Sequence, residues 1–214
     1  MDTFSPERYA CVSTNEEMHN LYLQQLEMAL TKWLGWGTGS QRFKDMKCWL
    51  ESTDFFSAPA STRYHESYSG GLVKHSLIVA TQVEQLFESP VFADTSVFEA
   101  QAVFCALVHD VCKVNYYESY RKNVKDEATG QWNSVEAWKV RSDRGLYVGH
   151  GERSGMMILR LVPEITDEML MAIRWHMGLW DCSEPGQGDF GEACRRYKMV
   201  HLLQFSDLLS VTRF

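Results

Sequence analysis

An apolar helical run that ends in an adjacent histidine and aspartate constrains this chain more than any other feature. The run leads into His109 and Asp110, and Lys113 follows one helical turn later. Neighbouring residues project about 100° apart around a helix, so this pair cannot lie wholly on the apolar face of a regular helix. Burying a carboxylate beside an imidazole costs free energy unless something compensates the charge. A metal ion is the usual compensation, and both side chains are good metal ligands.

Composition places the chain among ordinary globular proteins. It has 214 residues, of which 45% are hydrophobic and 23% charged, enough to bury a core of normal size. The net charge of -7 argues against a general nucleic-acid binder but leaves a local basic patch open. The sequence has no apolar run as long as a membrane span, and its first residues lack a signal-peptide core. We therefore expect a cytoplasmic protein without a membrane partner.

The cysteines form no CxxC pair, which removes the usual zinc-finger and thioredoxin patterns. In a chain without a secretory signal they are predicted to be reduced, mostly buried side chains, and we assign them no function. The six are Cys11, Cys48, Cys105, Cys112, Cys182 and Cys194.

Apolar residues at helical spacing predict a mainly helical chain. Two such segments, 15–34 and 41–50, lie near the start, and we interpret residues 1–60 as a helical extension packed on the core. Between about residues 115 and 145, aromatic and β-forming residues flank a turn signal. This pattern predicts an inserted β-hairpin or irregular flap.

Four further polar residues lie at the ends or on the inward faces of predicted helices. His75 follows a glycine pair that permits a tight turn and a close backbone approach. His150 stands between two glycines before a helix, and His176 shares a face with apolar residues of the next one. Asp207 lies on the apolar stripe of a last helix predicted from about Glu192 to Val211.

Each of these residues alone has an ordinary structural explanation, because buried polar groups in a core are normally hydrogen-bonded. Together they supply four imidazoles and two carboxylates, which is more than one metal ion needs. The set suits two cations with nitrogen and oxygen ligands bridged by one carboxylate, as in two-metal hydrolases. Its members are His75, His109, Asp110, His150, His176 and Asp207.

In this order, H…HD…H…H…D, the set resembles the HD-domain superfamily of metal-dependent phosphohydrolases. The segments GGLVKHS at 70–76, HDVCK at 109–113 and GHGE at 149–152 are most similar to the bacterial HD-domain exoribonuclease type and its small relatives. The resemblance covers roughly residues 64–212. It implies an all-α HD-domain helical bundle over 61–214, interrupted by the flap and preceded by the N-terminal extension.

The resemblance also implies a role for each matched position. The first cation would be held by His75, His109, Asp110 and Asp207. Asp110 would bridge to a second cation, completed by His150 and His176, and Lys113 would contact a substrate phosphate. The cofactors would be two divalent transition metals: manganese, iron, or nickel, cobalt or zinc.

These features predict a phosphohydrolase or phosphodiesterase that hydrolyses a nucleotide-like or oligonucleotide phosphoester with a metal-activated water. Asp110 and Lys113 would act at its centre, and Glu152 is the candidate for proton transfer. Phosphate-orienting cations are expected from the centre, the flap and the C-terminal part: Lys113, Arg121, Lys122 and Arg195. The partner would be a small anionic phosphoester, while the negative net charge disfavours long nucleic acids.

The sequence also departs from the family pattern. Glu66 follows His65 where a second histidine is common, and His176 lacks a histidine neighbour. The GYP signature of cyclic-di-GMP phosphodiesterases is missing, which disfavours that substrate.

Two alternatives stay open. The same ligands resemble those of mixed-valent di-iron oxygenases typified by myo-inositol oxygenase, which would act on a polyol or a phosphonate. The other alternative is a catalytically silent HD scaffold used for binding. Unused buried histidines and aspartates count against that scaffold, because they carry a desolvation cost.

Overall fold

A computed structural model of the chain describes residues 15–181 and 186–212. Within this part the protein is mostly helical, and none of its helices is long and apolar enough to cross a membrane. The helices are α1 (Asn15–Leu34), α2 (Gln41–Glu51), α3 (Gly71–Phe87), α4 (Ser96–Val108), α5 (His150–Leu161), α6 (Asp167–Trp175), α7 (Gln187–Arg196) and α8 (Lys198–Val211). Two strands, β1 (Tyr117–Lys125) and β2 (Trp132–Val140), pair as one antiparallel sheet.

The core is built around α4, whose side chains from Ala102 to Val108 are all buried. This helix packs against α1 and α3, and α8 packs against α3 and α6. A single hydrophobic cluster includes residues of every helix except α7. The apolar run found in the sequence is therefore the central helix of the bundle, and its C-terminal end delivers His109 into the interior.

The N-terminal helices follow their predicted bounds closely. Buried residues of α1 and α2 belong to the same hydrophobic cluster as α4. The hydroxyl of Tyr22 donates a hydrogen bond to the carbonyl of Leu107 at 2.9 Å, which joins α1 to the end of α4. Residues 1–14 lie outside the described residues, and the domain boundary at residue 60 stays a prediction.

The predicted hairpin is confirmed as a two-stranded ribbon. Tyr117 pairs with Val140 at its base, and the register continues to the pair Lys125 and Trp132. In β1 only Tyr117 is buried, so the ribbon projects from the bundle with both faces largely exposed.

The predicted last helix is wrong in one respect: it is two helices. Extended backbone at Tyr197 (φ -125°, ψ 112°) separates α7 from α8. Ala193 and Val200, on either side of the break, both pack in a small apolar cluster with Trp175. Since both sides keep inward apolar residues, the pattern resembles one helix although the backbone turns between them.

The cysteine prediction is confirmed only in part. Cys105 and Cys112 are buried, whereas Cys48 is exposed and Cys194 is half-buried. Cys11 and Cys182 lie outside the described residues.

Candidate metal centre

Four separate elements bring histidine and aspartate side chains to one buried point. His75 comes from α3, His109 follows the last residue of α4, His176 follows the last residue of α6, and Asp207 comes from α8. The three histidines are at most 2% exposed.

Backbone packing at two glycines sets the position of the elements that carry these donors. Gly70 precedes α3 with a left-handed φ of +83°, and a Cβ on Gly71 would lie 1.9 Å from the carbonyl oxygen of Glu66. This confirms the tight turn and close approach predicted before His75. Likewise a Cβ on Gly151 would lie 2.0 Å from the carbonyl oxygen of Arg174, so α5 and α6 meet closely beside His150.

His75, His109 and Asp207 form the first corner of the cluster. His75 Nε2 lies 3.1 Å from Asp207 Oδ1 and 3.2 Å from His109 Nε2. The third side of the triangle, His109 Nε2 to Asp207 Oδ1, is 3.8 Å. These three donor atoms could hold one metal ion.

Asp110 stands between this corner and His176. Its Oδ2 lies 3.5 Å from Nε2 of His75 and 3.5 Å from Nε2 of His109, whereas its Oδ1 lies 3.6 Å from His176 Nε2. Lys113 Nζ donates to Oδ2 at 2.5 Å from the 3-10 turn Val111–Lys113. The two oxygens of this carboxylate thus face two different groups of ligands.

Hydrogen bonds on the far side of each ring fix which nitrogen faces the cluster. His109 Nδ1 and His176 Nδ1 each lie 2.7 Å from a carbonyl oxygen, of Ala106 and Ile173 respectively. A carbonyl only accepts, so Nδ1 carries the proton and the inward Nε2 keeps its lone pair when the ring is neutral. Such an outer hydrogen bond is the usual support of a metal-ligating histidine.

Ser210 lies on the far side of the His75 ring, next to Nδ1. The Ser210 hydroxyl donates to the carbonyl of Asp207 at 2.6 Å, so its oxygen can only accept from His75 Nδ1, 3.4 Å away. Nε2 of His75 lies 3.2 Å from Nε2 of His109 and 3.1 Å from Asp207 Oδ1. Two ring nitrogens this close repel unless a proton or a cation lies between them, and a metal ion fits this need.

His176 supports the same conclusion independently. Its Nε2 is buried and has no hydrogen-bond partner among the described residues. A buried nitrogen without a partner costs free energy in a native core, and a missing ion is one of the ordinary explanations. The residues present therefore fit a metal ion.

His150 reaches the cluster through a neighbouring thiol. Its Nδ1 lies 3.7 Å from Cys112 Sγ, and that sulfur lies 3.8 Å from Asp110 Oδ1. Donor atoms of these three residues also lie close enough together to hold a metal ion. All six sequence-predicted ligands are thus brought to one cluster, although their assignment as ligands stays a prediction.

The electrostatics of the cluster favour ionised carboxylates and neutral rings. Burial alone would raise the pKa of Asp110, but the charge of Lys113 and the neighbouring imidazoles hold it well below its usual value. Asp207 behaves in the same way, since hydrogen bonding to His75 outweighs burial and lowers its pKa. Burial lowers the pKa of His109 and His150.

His176 differs from the other rings. Burial lowers its pKa, but the Asp110 carboxylate, 3.6 Å from Nε2, outweighs burial, and the net shift is upward. In the absence of a cation the Asp110 carboxylate thus favours a proton on this ring. A metal ion would take the place of that proton.

The remaining predicted residues lie outside this cluster. Glu152 is held by Arg174 at 2.6 Å in the first turn of α5. Arg195 pairs with Glu192 on the exposed side of α7. Arg121 and Lys122 are exposed neighbours on β1, and they point to opposite faces of the ribbon. Their roles in proton transfer and phosphate binding stay predictions.

Sequence reasoning missed two residues beside the ligands. The rings of His65 and His75 lie 4.7 Å apart, and His65 Nε2 is buried without a hydrogen-bond partner in the described part of the chain. Burial and the nearby His75 lower the pKa of His65 to about 4. Cys112 is the other, and its only sequence signal was its place inside the HDVCK segment.

Clefts flank the cluster on two sides. One, of about 570 Å³, is lined by Glu152 of α5, Arg174 of α6 and Trp180 of the following 3-10 turn Gly178–Asp181, among other residues. The other, of about 780 Å³, lies beside His65 and Ser210. Both volumes are in the range of small-molecule sites.

Comparison with protein-family models gives no match for this chain. Comparisons with curated proteins and with solved structures give no similar protein either.

Proposed function

We propose that this chain is a metal-dependent phosphohydrolase of the HD-domain superfamily that hydrolyses a nucleotide-like or oligonucleotide phosphoester. The observation that carries the proposal is the convergence of His75 Nε2 and His109 Nε2, 3.2 Å apart, in a buried site with two carboxylates. Such a site is costly when empty and favourable with bound cations. The order of the ligands in the sequence supports the family.

The two carboxylate oxygens of Asp110 face different histidines and so define two positions for cations. Its Oδ2 faces His75 and His109, while its Oδ1 faces the His176 side. When bound, two such cations lower the pKa of a coordinated water and neutralise charge on the phosphoryl oxygens. Asp110 would hold the two positions at a fixed separation.

The charge balance favours an anionic substrate. Two divalent cations bring four positive charges, Asp110 and Asp207 neutralise two of them, and Lys113 adds one. A phosphoester carries negative charge into this buried excess, which a neutral polyol does not. Lys113, fixed by Asp110 and only 7% exposed, is positioned to orient a phosphoryl oxygen rather than to attract ligands from a distance.

A metal and product assay tests the proposal. The metal content of the purified chain is measured by elemental analysis, and the chain is then loaded with Mn²⁺ and given a nitrophenyl phosphodiester. We expect metal-dependent nitrophenol release, which His109→Gln abolishes and His201→Gln preserves, because His201 bonds to the Cys194 carbonyl away from the centre.

Retained hydrolysis in His109→Gln, or none in the loaded wild type, would contradict the proposal. Dioxygen consumption by the iron-loaded chain with a phosphonate or polyol, without nitrophenol release, would support the oxygenase instead.

A further inference from the structure

We infer that the Cys112 thiol is a ligand of the second cation, so that the two positions prefer different metal ions. The position at His75, His109 and Asp207 has only nitrogen and oxygen donors. The position beside His150 gains a sulfur and would prefer Zn²⁺, Co²⁺ or Fe²⁺ over Mn²⁺ or Mg²⁺. This inference rests on the proposed function in one respect, the binding of two cations.

The Cys112 sulfur lies near both Asp110 and His150. Cys112 Sγ lies 3.8 Å from Asp110 Oδ1 and 3.7 Å from His150 Nδ1. A tetrahedral zinc with bonds of about 2.3 Å to sulfur and about 2.0 Å to nitrogen or oxygen separates such donors by roughly 3.5 Å. The observed separations are slightly longer, so a small inward shift of the donors would complete the site.

The sulfur lies on the Oδ1 side of Asp110. Oδ1, the oxygen near Cys112, is also the one near His176, while Oδ2 faces His75 and His109. The thiol is thus on the side of the second cation. His176 Nε2, buried without a hydrogen-bond partner in the described residues, faces the same oxygen.

Burial and a backbone hydrogen bond hold the thiol in place. Cys112 is 2% exposed, and its backbone N–H donates to the hydroxyl of Ser154 at 3.1 Å. Ser154 lies one turn after His150 on α5 and is fully buried. This bond ties the 3-10 turn carrying the thiol to the helix carrying the imidazole.

The chemistry is a simple exchange at sulfur. On metal binding the S–H bond breaks, the proton leaves to solvent and a sulfur–metal bond forms, with no change in oxidation state. The second position would then have Cys112 beside Asp110 and His150, with His176 on the same side of Asp110. Thiolate donors favour zinc, iron and cobalt, while carboxylate and carbonyl oxygens suit manganese and magnesium.

Cys105 provides a matched control within the same protein. It is as deeply buried as Cys112 and is also a free thiol, but its sulfur faces the carbonyl of Met169 and the sulfur of Met199. Loss of the Cys105 sulfur removes a buried thiol without touching the proposed ligands.

Cobalt absorption tests the inference without an activity assay. Wild type, Cys112→Ser and Cys105→Ser are loaded with Co²⁺, and thiolate-to-cobalt charge transfer is recorded in the near ultraviolet. We expect the band in wild type and Cys105→Ser and its loss in Cys112→Ser, which keeps the weaker visible bands of the first position. Competition should show Zn²⁺ affinity falling on the order of 100-fold in Cys112→Ser, with Mn²⁺ affinity little changed.

A wild type that binds Co²⁺ without the charge-transfer band would overturn the inference, as would a band that survives in Cys112→Ser, or no cobalt binding at all. If Cys112→Ser does not fold, Cys112→Ala replaces it, with the same outcomes. The proposed function fails separately: a thiolate band together with no hydrolysis of any phosphodiester would keep the ligand and reject the hydrolase.

Discussion

His109 and His176 use the same local arrangement, each as the residue that follows the last turn of a helix. Both keep nearly helical backbone angles, and both return Nδ1–H to the carbonyl three residues earlier. The helix end thus supplies its own hydrogen bond to orient a ligand, because the last carbonyls of a helix have no intrahelical partner. A histidine placed here needs no second side chain to fix its tautomer.

Replacing His176 by glutamine should therefore remove one metal ion and leave the fold intact. We expect elemental analysis to show a fall from about two cations per chain to about one, because the first corner does not use His176. His201→Gln, on α8 away from the centre, is the control and should keep both. Retention of both cations by His176→Gln would show that this ring is not a ligand.

Among single residues, the sequence could predict those candidate ligands that are polar and yet spaced like core residues. His75, His109 and Asp207 all occupy positions where an apolar side chain would otherwise pack. It could not identify Cys112, because a buried cysteine is an ordinary apolar residue until its neighbours are known. The role of His65 could not be predicted for a similar reason. Its approach to His75 depends on the loop before Gly70, which has no periodic pattern.

The ribbon of β1 and β2 distinguishes its two faces, which the sequence prediction of a positively charged flap did not. Side chains alternate between the two faces along a strand, so Arg121, four residues after Tyr117, shares its face and Lys122 does not. Tyr117 is buried beside Lys113, whose charge acts on the pKa of its hydroxyl. The face of Arg121 is therefore the one that continues into the centre.

Arg121→Ala and Lys122→Ala should consequently differ. With a short oligonucleotide substrate we expect KM to rise about fivefold for Arg121→Ala, the equivalent of an exposed charge contact of about 1 kcal/mol. Lys122→Ala serves as the matched control and should leave KM unchanged. Equal effects of the two substitutions on KM would exclude recognition by one face.

Helix α3 carries one acidic residue, Glu84, which is half-buried and lies about two and a half turns after His75. Burial, together with the charges of Glu99 and Glu88, raises its pKa to about 7. The folded pKa lies above the unfolded value of about 4.5, so the unfolded chain releases the proton first and stability falls as pH rises between these values.

Glu84→Gln should remove this pH dependence. We expect the variant and wild type to melt at similar temperatures at pH 4.5, and the variant to melt about 2–4 °C higher at pH 8. Only the difference between the two proteins is compared, so metal loss at low pH affects both alike. A melting difference that is the same at both pH values would mean that Glu84 is not buried in its neutral form.

Elements were predicted where periodicity was long and uninterrupted. The 20-residue α1 and the nine-residue strands agree with their patterns. The break at Tyr197 was not predictable, since inward apolar residues continue on both sides and no proline or glycine marks it. Tertiary packing of Ala193 and Val200 against Trp175 fixes the turn there.

At the scale of the whole molecule, α1 supports the end of α4, which carries the candidate ligand His109. Tyr22 satisfies the Leu107 carbonyl two residues before His109, a group that the helix end leaves without a partner. The sequence predicted a packed extension, but this contact spans 85 positions, which local patterns do not reveal.

Tyr22→Phe should cost about 1–3 kcal/mol in the free energy of unfolding, because it leaves that carbonyl buried and unpaired. Urea denaturation measures the change, and Tyr64→Phe is the control, since Tyr64 is 86% exposed and should have little effect. Equal midpoints for Tyr22→Phe and wild type would show that water or another group satisfies Leu107.

If the centre binds metal as proposed, its removal should destabilise the entire fold, because the candidate ligands come from elements spread along the sequence. A cation bound only by the native state adds about 2.7 kcal/mol at a hundred times its dissociation constant, or about 5–10 °C in melting temperature for a domain of this size. We expect dialysis against a chelator to lower the melting temperature of wild type by this amount and readdition of metal to restore it.

His109→Gln is the matched control for chelation. It lacks a ligand of the first corner and should show a much smaller response, since only the second position can still bind. A wild-type melting temperature unchanged by the chelator would instead indicate that the six side chains form a hydrogen-bonded core without a metal. That result would support the silent scaffold over either enzyme.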